Sequence, residues 1–279
     1  MDSLQSHLGA ESGLQLLSRL ENRPSLIDLD NVIFESGLLP NEIVEINGDV
    51  SSGKTLLVTQ FLAKCLLPKS YCGIDIGGLN AGAVIIDTDH HFQVLKLVTI
   101  MEAYIARSGC SSNSLVDANT VESIIKDALD NLTILHCYDG VQLLITFHGL
   151  KNILSCNRNI SLLVLDSVSA FYWQNTLNNN GIHKMDLYLK KILISLQKHI
   201  HEFKVSVIYT KPLYFQSKVH NDSNVIGKYG KISRQIKLQK VLNSVNLFYA
   251  HICDNSNRKV LSYEIGNDGF HWHVAQEHK

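Results

Sequence analysis

Residues 48–55, Gly48-Asp49-Val50-Ser51-Ser52-Gly53-Lys54-Thr55, fit the spacing G-x-x-x-x-G-K-[ST]. That pattern suits the cradling of a polyphosphate. Two glycines let the backbone curl until successive N–H groups face phosphate oxygens. Lys54 supplies a cation for the outer phosphates, and the Thr55 hydroxyl a ligand for Mg²⁺. Two carboxylate segments complete the chemistry. Asp166 ends the apolar run in SLLVLDSVSAFYW (161–173), where a carboxylate holds magnesium, usually through water. Asp87 and Asp89 follow AVIID (83–87). Asp89 either orients the water that attacks a γ-phosphate or, more plainly, it or Thr88 caps the next helix.

These residues need elements to position them. Ile43, Val44 and Ile46 predict a strand before the glycine loop, and Leu56, Leu57, Val58 and Phe61 a helix after it. Further strand-like runs fall at 83–87, 132–137, 162–166 and 205–210, with helical patterns at 11–21, 54–66, 90–107, 120–130, 141–154 and 184–202. Short runs rich in β-branched residues without polar alternation predict a parallel sheet buried on both faces. Residues 174–182 and 212–240 read as loops, and the period-two pattern after 241 predicts antiparallel hairpins. The fold class is therefore α/β, mostly parallel, with helices on both faces and C-terminal hairpins.

Composition narrows the function classes. A chain of 279 residues with formal charge −1 holds one large or two small domains and has no global pull toward nucleic acid. Any such contact must be local. The stretch 211–240 supplies one, with Lys211, Lys218, Lys228, Lys231, Arg234, Lys237 and Lys240 against Asp222. Lys228, Lys231, Arg234 and Lys237 are its candidate DNA contacts, the plainer reading being a solvated basic loop. Six cysteines lack C-x-x-C spacing and suit reduced core positions in an intracellular protein. No signal peptide and no long apolar run is present, so no membrane association is expected. His271 and His273 share one strand face, but no third ligand accompanies them, which argues against a metal there. Phe171, Tyr172 and Trp173 follow a buried strand and read as packing.

The order GDVSSGKT, IDTD, LLVLDS, then a strand at 205–210 and a hairpin ending in IGNDGF, resembles the ATPase core of the RecA family. ESGLQLLSRLE, CLLPKS, IDTDHHFQVLKLVTIME and LDSVSAFYW narrow the resemblance to the eukaryotic paralogues of the strand-exchange recombinase. It runs from about 10 to 173, loosens over 174–240 and returns weakly in the last hairpins. The resemblance implies a RecA-type core with Gly48–Thr55 as Walker A loop and Asp166 as Walker B carboxylate. It also implies ATP and Mg²⁺ as cofactors, and a nuclear role in homologous-recombination repair of double-strand breaks. The implied partners are related paralogues in a hetero-oligomer, the D-type paralogue foremost, and single-stranded or branched DNA.

Departures from the family pattern shape the expected activity. Asp89 stands where these recombinases have Glu, a side chain shorter by one bond of about 1.5 Å, enough to misplace an attacking water. Lys211 and Pro212 stand where an Asn-Gln pair senses the γ-phosphate, and proline offers neither amide nor N–H. Binding is expected to outlast hydrolysis, leaving at most a weak DNA-dependent ATPase. Residues 1–42 are expected to form a helix and linker ahead of a core over 43–279. With no helical N-terminal domain in that stretch, the core would offer only the receiving half of a head-to-tail contact, and so cap a stack. The alternatives are a RecA-type ATPase with its own strand exchange, and a P-loop kinase or GTPase. TKPL (210–213) lacks the Asn and Asp of a guanine-reading motif.

Overall fold

The computed structural model describes residues 12–20, 22–111, 117–175, 182–215, 225–226, 230–241, 244, 246–254 and 257–273. Helix α1 (Gly13–Leu20) opens on a reciprocal cap. Ser12 Oγ accepts from the Gln15 N–H, and Gln15 Oε1 accepts from the Ser12 N–H. Strand β1 (Ile43–Gly48) leads through the glycine loop into α2 (Lys54–Leu66). A small hairpin, β2 (Ser70–Tyr71) and β3 (Ile74–Asp75), precedes β4 (Gly82–Asp87). Then come α3 (Val94–Ser111), α4 (Ala118–Leu129), β5 (Leu132–His136) and α5 (Gly140–Cys156). Next are β6 (Ile160–Asp166), α6 (Tyr172–Asn175), α7 (Ile182–Ile200) and β7 (Ser206–Pro212). The described chain closes with β8 (Val225–Ile226), β9 (Gly230–Lys240), β10 (Phe248–Asp254), β11 (Arg258–Gly266) and β12 (Gly269–His273).

One sheet carries the architecture, in the order β12-β11-β10-β9-β1-β7-β6-β4-β5, with β8 on β9. From β9 to β5 every neighbouring pair is parallel, whereas β9 through β12 pair antiparallel. The sequence periodicity explains the two cores. Val44, Ile46, Ala83, Ile85, Leu162 and Val164 pack to one face, with α2, α3 and the C-terminal strands. Ile43, Val84, Ile86, Leu163 and Leu165 pack to the other, with α5 and α7. Alternate residues serve opposite faces because the strand period is two, and both faces are covered, so apolar residues dominate both, with Glu45 and Asn47 as buried polar exceptions in β1.

One stretch departs from the sequence reading. Residues 230–240, expected within a loop, form an eleven-residue strand parallel to β1. Ile232, Arg234, Ile236 and Leu238 are all buried, while the residues between them are half-exposed. This is strand alternation with an arginine on the inner face, and in one dimension that arginine makes the run look polar. The connector before β1 is built into the core, with Leu26, Leu29, Ile33, Phe34 and Leu38 all buried. Arg23 anchors its start by donating to the carbonyls of Leu154 (2.7 Å), Asn157 (3.0 Å), Ile160 (2.6 Å) and Phe203 (2.6 Å). Burial lowers its pKa to about 10. Cys65 and Cys137 are buried, as core cysteines should be, but Cys72 and Cys156 are exposed.

Candidate nucleotide site

The glycine loop spans the C-terminal end of β1 and the N-terminus of α2, at the sheet edge where open α/β sheets take ligands. Its two glycines are sterically required. A Cβ on Gly48 would lie 2.6 Å from Ser52 Oγ and 2.7 Å from the Leu238 carbonyl. Gly53 has φ +87, and a Cβ there would lie 2.9 Å from the Phe270 ring and 3.0 Å from Ile265. Distant elements hold the loop's shape. The Asp49 N–H donates to the Leu238 carbonyl of β9 at 3.2 Å, and the Tyr263 hydroxyl of β11 to the Ser52 carbonyl at 2.8 Å. Gln60 of α2 accepts from the Phe270 N–H at 2.8 Å and so ties β12 to the same helix. Sequence reasoning missed Tyr263, Phe270 and Gln60; the aromatic spacing in the last hairpin is the only trace they leave there.

The predicted chemistry converges. Lys54 Nζ donates to the carbonyls of Gly48 (3.1 Å) and Asp49 (2.8 Å), so its ammonium lies over the loop. Burial lowers its pKa, opposed by Asp166, Asp49 and Asp89. Thr55 Oγ1 donates to Asp166 Oδ2 at 2.7 Å, across 111 residues of sequence. Thr210 Oγ1 donates to the other carboxylate oxygen. Asp166 is buried, and burial raises its pKa, opposed by those two hydroxyls and reinforced by Asp89 and Asp87. A loop whose two glycines leave no room for a Cβ, a lysine turned over it and a hydroxyl–carboxylate pair at one end together fit a magnesium nucleotide.

Asp89 is exposed beside this pair, its N–H 3.4 Å from the Asp166 carbonyl. The Thr88 N–H donates to that same carbonyl at 2.8 Å. The Thr88 hydroxyl bonds both backbone groups of Ser167, so Thr88 staples β4 to β6. Helix α3 starts only at Val94, and the capping role first weighed for Thr88 and Asp89 does not arise. At the far side, Lys211 is nearly buried in an ion pair with Glu45 at 2.8 Å. Glu45 also accepts from the Tyr209 hydroxyl and from Asn47 Nδ2. Pro212 lies in register with Gly48.

The basic stretch divides. Lys228 lies outside the described residues, and Lys231 takes its place in β9 opposite Val225. Lys237 is half-exposed on the outer face of β9. Arg234, expected on a solvated basic loop, is instead buried within the fold. It is 4% exposed and donates to the Gly37 carbonyl (2.7 Å) and Ser36 Oγ (2.6 Å). It also lies 3.7 Å from Glu42 and 3.6 Å from Asp254, with its guanidinium over the Phe34 ring. Inward strand alternation overrode its charge. His271 and His273 turn to separate carboxylates, Asp268 and Glu264. Phe171 and Tyr172 are buried, whereas Trp173 is 60% exposed.

The Rad51 family profile matches residues 25–227. The chain is 33% identical over 204 residues to mouse DNA repair protein XRCC2, a match covering 72% of this chain and 67% of that one. It is 26% identical over 249 residues to an Arabidopsis thaliana XRCC2 homolog, covering 77% of this chain and 66% of the relative. To DNA repair protein RAD51 of Saccharomyces cerevisiae it is 25% identical over 186 residues, spanning 67% of this chain but only 41% of the yeast protein. Among the described residues, no helix is long and apolar enough to cross a membrane.

Proposed function

The chain belongs to the Rad51 family, and from that membership we propose that it is an ATP-binding accessory subunit of a recombinase-paralogue complex in homologous-recombination repair of double-strand breaks. One contrast within the site carries the reading. The binding half is complete: Gly48, Gly53, Lys54 and the Thr55–Asp166 pair lie within one loop and one strand end. The hydrolytic half is altered. Lys211 is committed to Glu45, and Pro212 has no amide to offer next to Gly48.

In this reading Lys54 leaves the loop carbonyls for the phosphates of ATP, while Thr55 and Asp166 hold Mg²⁺. Magnesium supplies charge neutralisation at the phosphates. Asp89 reaches toward the γ-phosphate end with a short side chain that orients water poorly. The same proposal includes assembly with related paralogues, the D-type paralogue among them, at the end of a stack. It also includes contact with single-stranded or branched DNA and a nuclear location. The relatives' names as DNA repair proteins support it.

Equilibrium ATP binding and turnover, with and without single-stranded DNA, test the proposal. Lys54→Ala is expected to weaken binding strongly, Asp89→Ala to leave it nearly unchanged, and the wild type to turn over slowly. Recombinase-like turnover that disappears in Asp89→Ala would sink it. For the position in the stack, light scattering with ATP and DNA should show no growing oligomers of the chain alone. Open-ended growth would rule out the cap.

A further inference from the structure

We propose that Asp87, His90 and His136 form a binding site for a divalent transition metal of the zinc class, separate from the nucleotide cradle and independent of the ATP-binding reading. Asp87 ends β4 and His136 ends β5, and the two are register partners in the parallel ladder. His90 returns over them through a tight turn, with φ +55 and its N–H donating to Asp87 Oδ1 at 2.8 Å. One potential ligand atom from each residue lies within 4.8 Å of the other two. Two imidazoles and a carboxylate make a donor set that selects zinc and its neighbours over magnesium.

A second observation points to a cation. Asp87 is 1% exposed, and its Oδ2 is buried with no hydrogen-bond partner. The imidazole Nδ1 of His136 lies 3.7 Å from it, beyond hydrogen-bond reach. A carboxyl oxygen left without a partner in the protein interior is costly, and a metal would satisfy it. Bonds of about 2.0–2.2 Å in a tetrahedral site place ligand atoms about 3.4 Å apart. Closure therefore needs a shift of roughly 1 Å, and it falls to the two imidazoles, which are exposed. His90 also stacks on Tyr138 at 4.6 Å, which limits how its ring turns. The outer coordination position faces solvent and takes water. Asp89 lies within the 87–90 turn, so a metal there would also fix the segment that carries it.

The test uses the untagged, metal-stripped chain of 279 residues. Zn²⁺ is titrated in competition with a chromophoric chelator, and Co²⁺ binding is followed by its visible ligand-field absorption. One zinc per chain is expected, together with a cobalt spectrum of low-symmetry nitrogen–oxygen ligation. Both are expected to vanish in the His90→Ala/His136→Ala double variant and to persist in Lys54→Ala and Asp166→Asn. Both histidines are exposed, and circular dichroism verifies that the double variant is folded. Single His136→Gln gives a second measure. Its loss of affinity should exceed the 10–100-fold, roughly, that merely supporting residues cost. Unchanged zinc affinity in the double variant would overturn the proposal. So would zinc binding lost in Asp166→Asn but kept in the double variant, since the ion would then sit in the cradle.

Discussion

Replacing Arg234 with alanine separates a fold residue from a DNA contact in a single variant. The guanidinium makes two hydrogen bonds of 2.6–2.7 Å, to Ser36 Oγ and the Gly37 carbonyl, and lies 3.6–3.7 Å from Asp254 and Glu42. Hydrogen bonds to a charged group contribute about 1.5–3 kcal/mol each. Removing one partner of a buried ion pair costs about 3–5 kcal/mol, because the charge left behind is uncompensated. These overlap rather than add. Glu42 and Asp254 keep part of their hydration, their side chains being 19% and 35% exposed. The expected loss is therefore about 3–4 kcal/mol, a third or more of a typical domain's stability. At roughly 2–4 °C per kcal/mol for a chain somewhat shorter than this one, the melting midpoint should fall by about 10 °C. A phosphate-contacting arginine would behave in the opposite way. Its loss would leave the midpoint within a degree or so, and would reduce the slope of log K against log salt by about 0.7–0.9. Urea melts and salt-dependent titrations against single-stranded DNA measure both quantities. A stability loss under about 1 kcal/mol with a slope reduced by one contact would refute the buried assignment of Arg234.

Two more expectations rest on buried titratable groups. The folded pKa of Asp166 is raised, first by burial. Its ionisation therefore costs stability at any pH above that raised value, and the cost disappears below the ordinary value of 3.8. Asp166→Asn should raise the midpoint of the ligand-free chain by about 1 kcal/mol equivalent at neutral pH while abolishing magnesium-dependent ATP binding; a destabilised variant in thermal melts would contradict it. His199 is buried against His148, its Nδ1 has no hydrogen bond, and burial first, then His148, Lys151 and Lys198, lowers its pKa to about 4. Between pH 6.5 and about 4 the unfolded chain takes up a proton that the folded chain refuses, so stability falls as pH drops through that window. His199→Leu should flatten the midpoint-versus-pH curve there, and an unchanged curve would place the titrating group elsewhere.

The sequence alone determined the glycine loop and the parallel core. A phosphate loop depends on backbone curl and short-range spacing, so Gly48, Gly53, Lys54 and Thr55 are legible in eight letters. Runs of apolar and β-branched residues mark covered strands, so the expected limits of β1, β4, β5, β6 and β7 fall within two residues of the observed ones. The partner of Thr55 could be named because an apolar run ending in Asp166 is equally local. Tertiary structure decided what depends on pairing between distant residues. An arginine on an inward strand position has the same letter as one in a solvated loop. Its environment comes from Ser36, Gly37, Glu42 and Asp254, far away in the chain, and so β9 read as loop and Arg234 as a surface cation. Lys211 is held by Glu45, and the glycine loop by Tyr263 and Phe270, across comparable separations. Asp87 and His136 meet only because β4 and β5 pair in parallel register. Backbone conformation and hydrophobic period are properties of neighbours along the chain, whereas the burial and pairing of a charge are set by whichever strand arrives beside it.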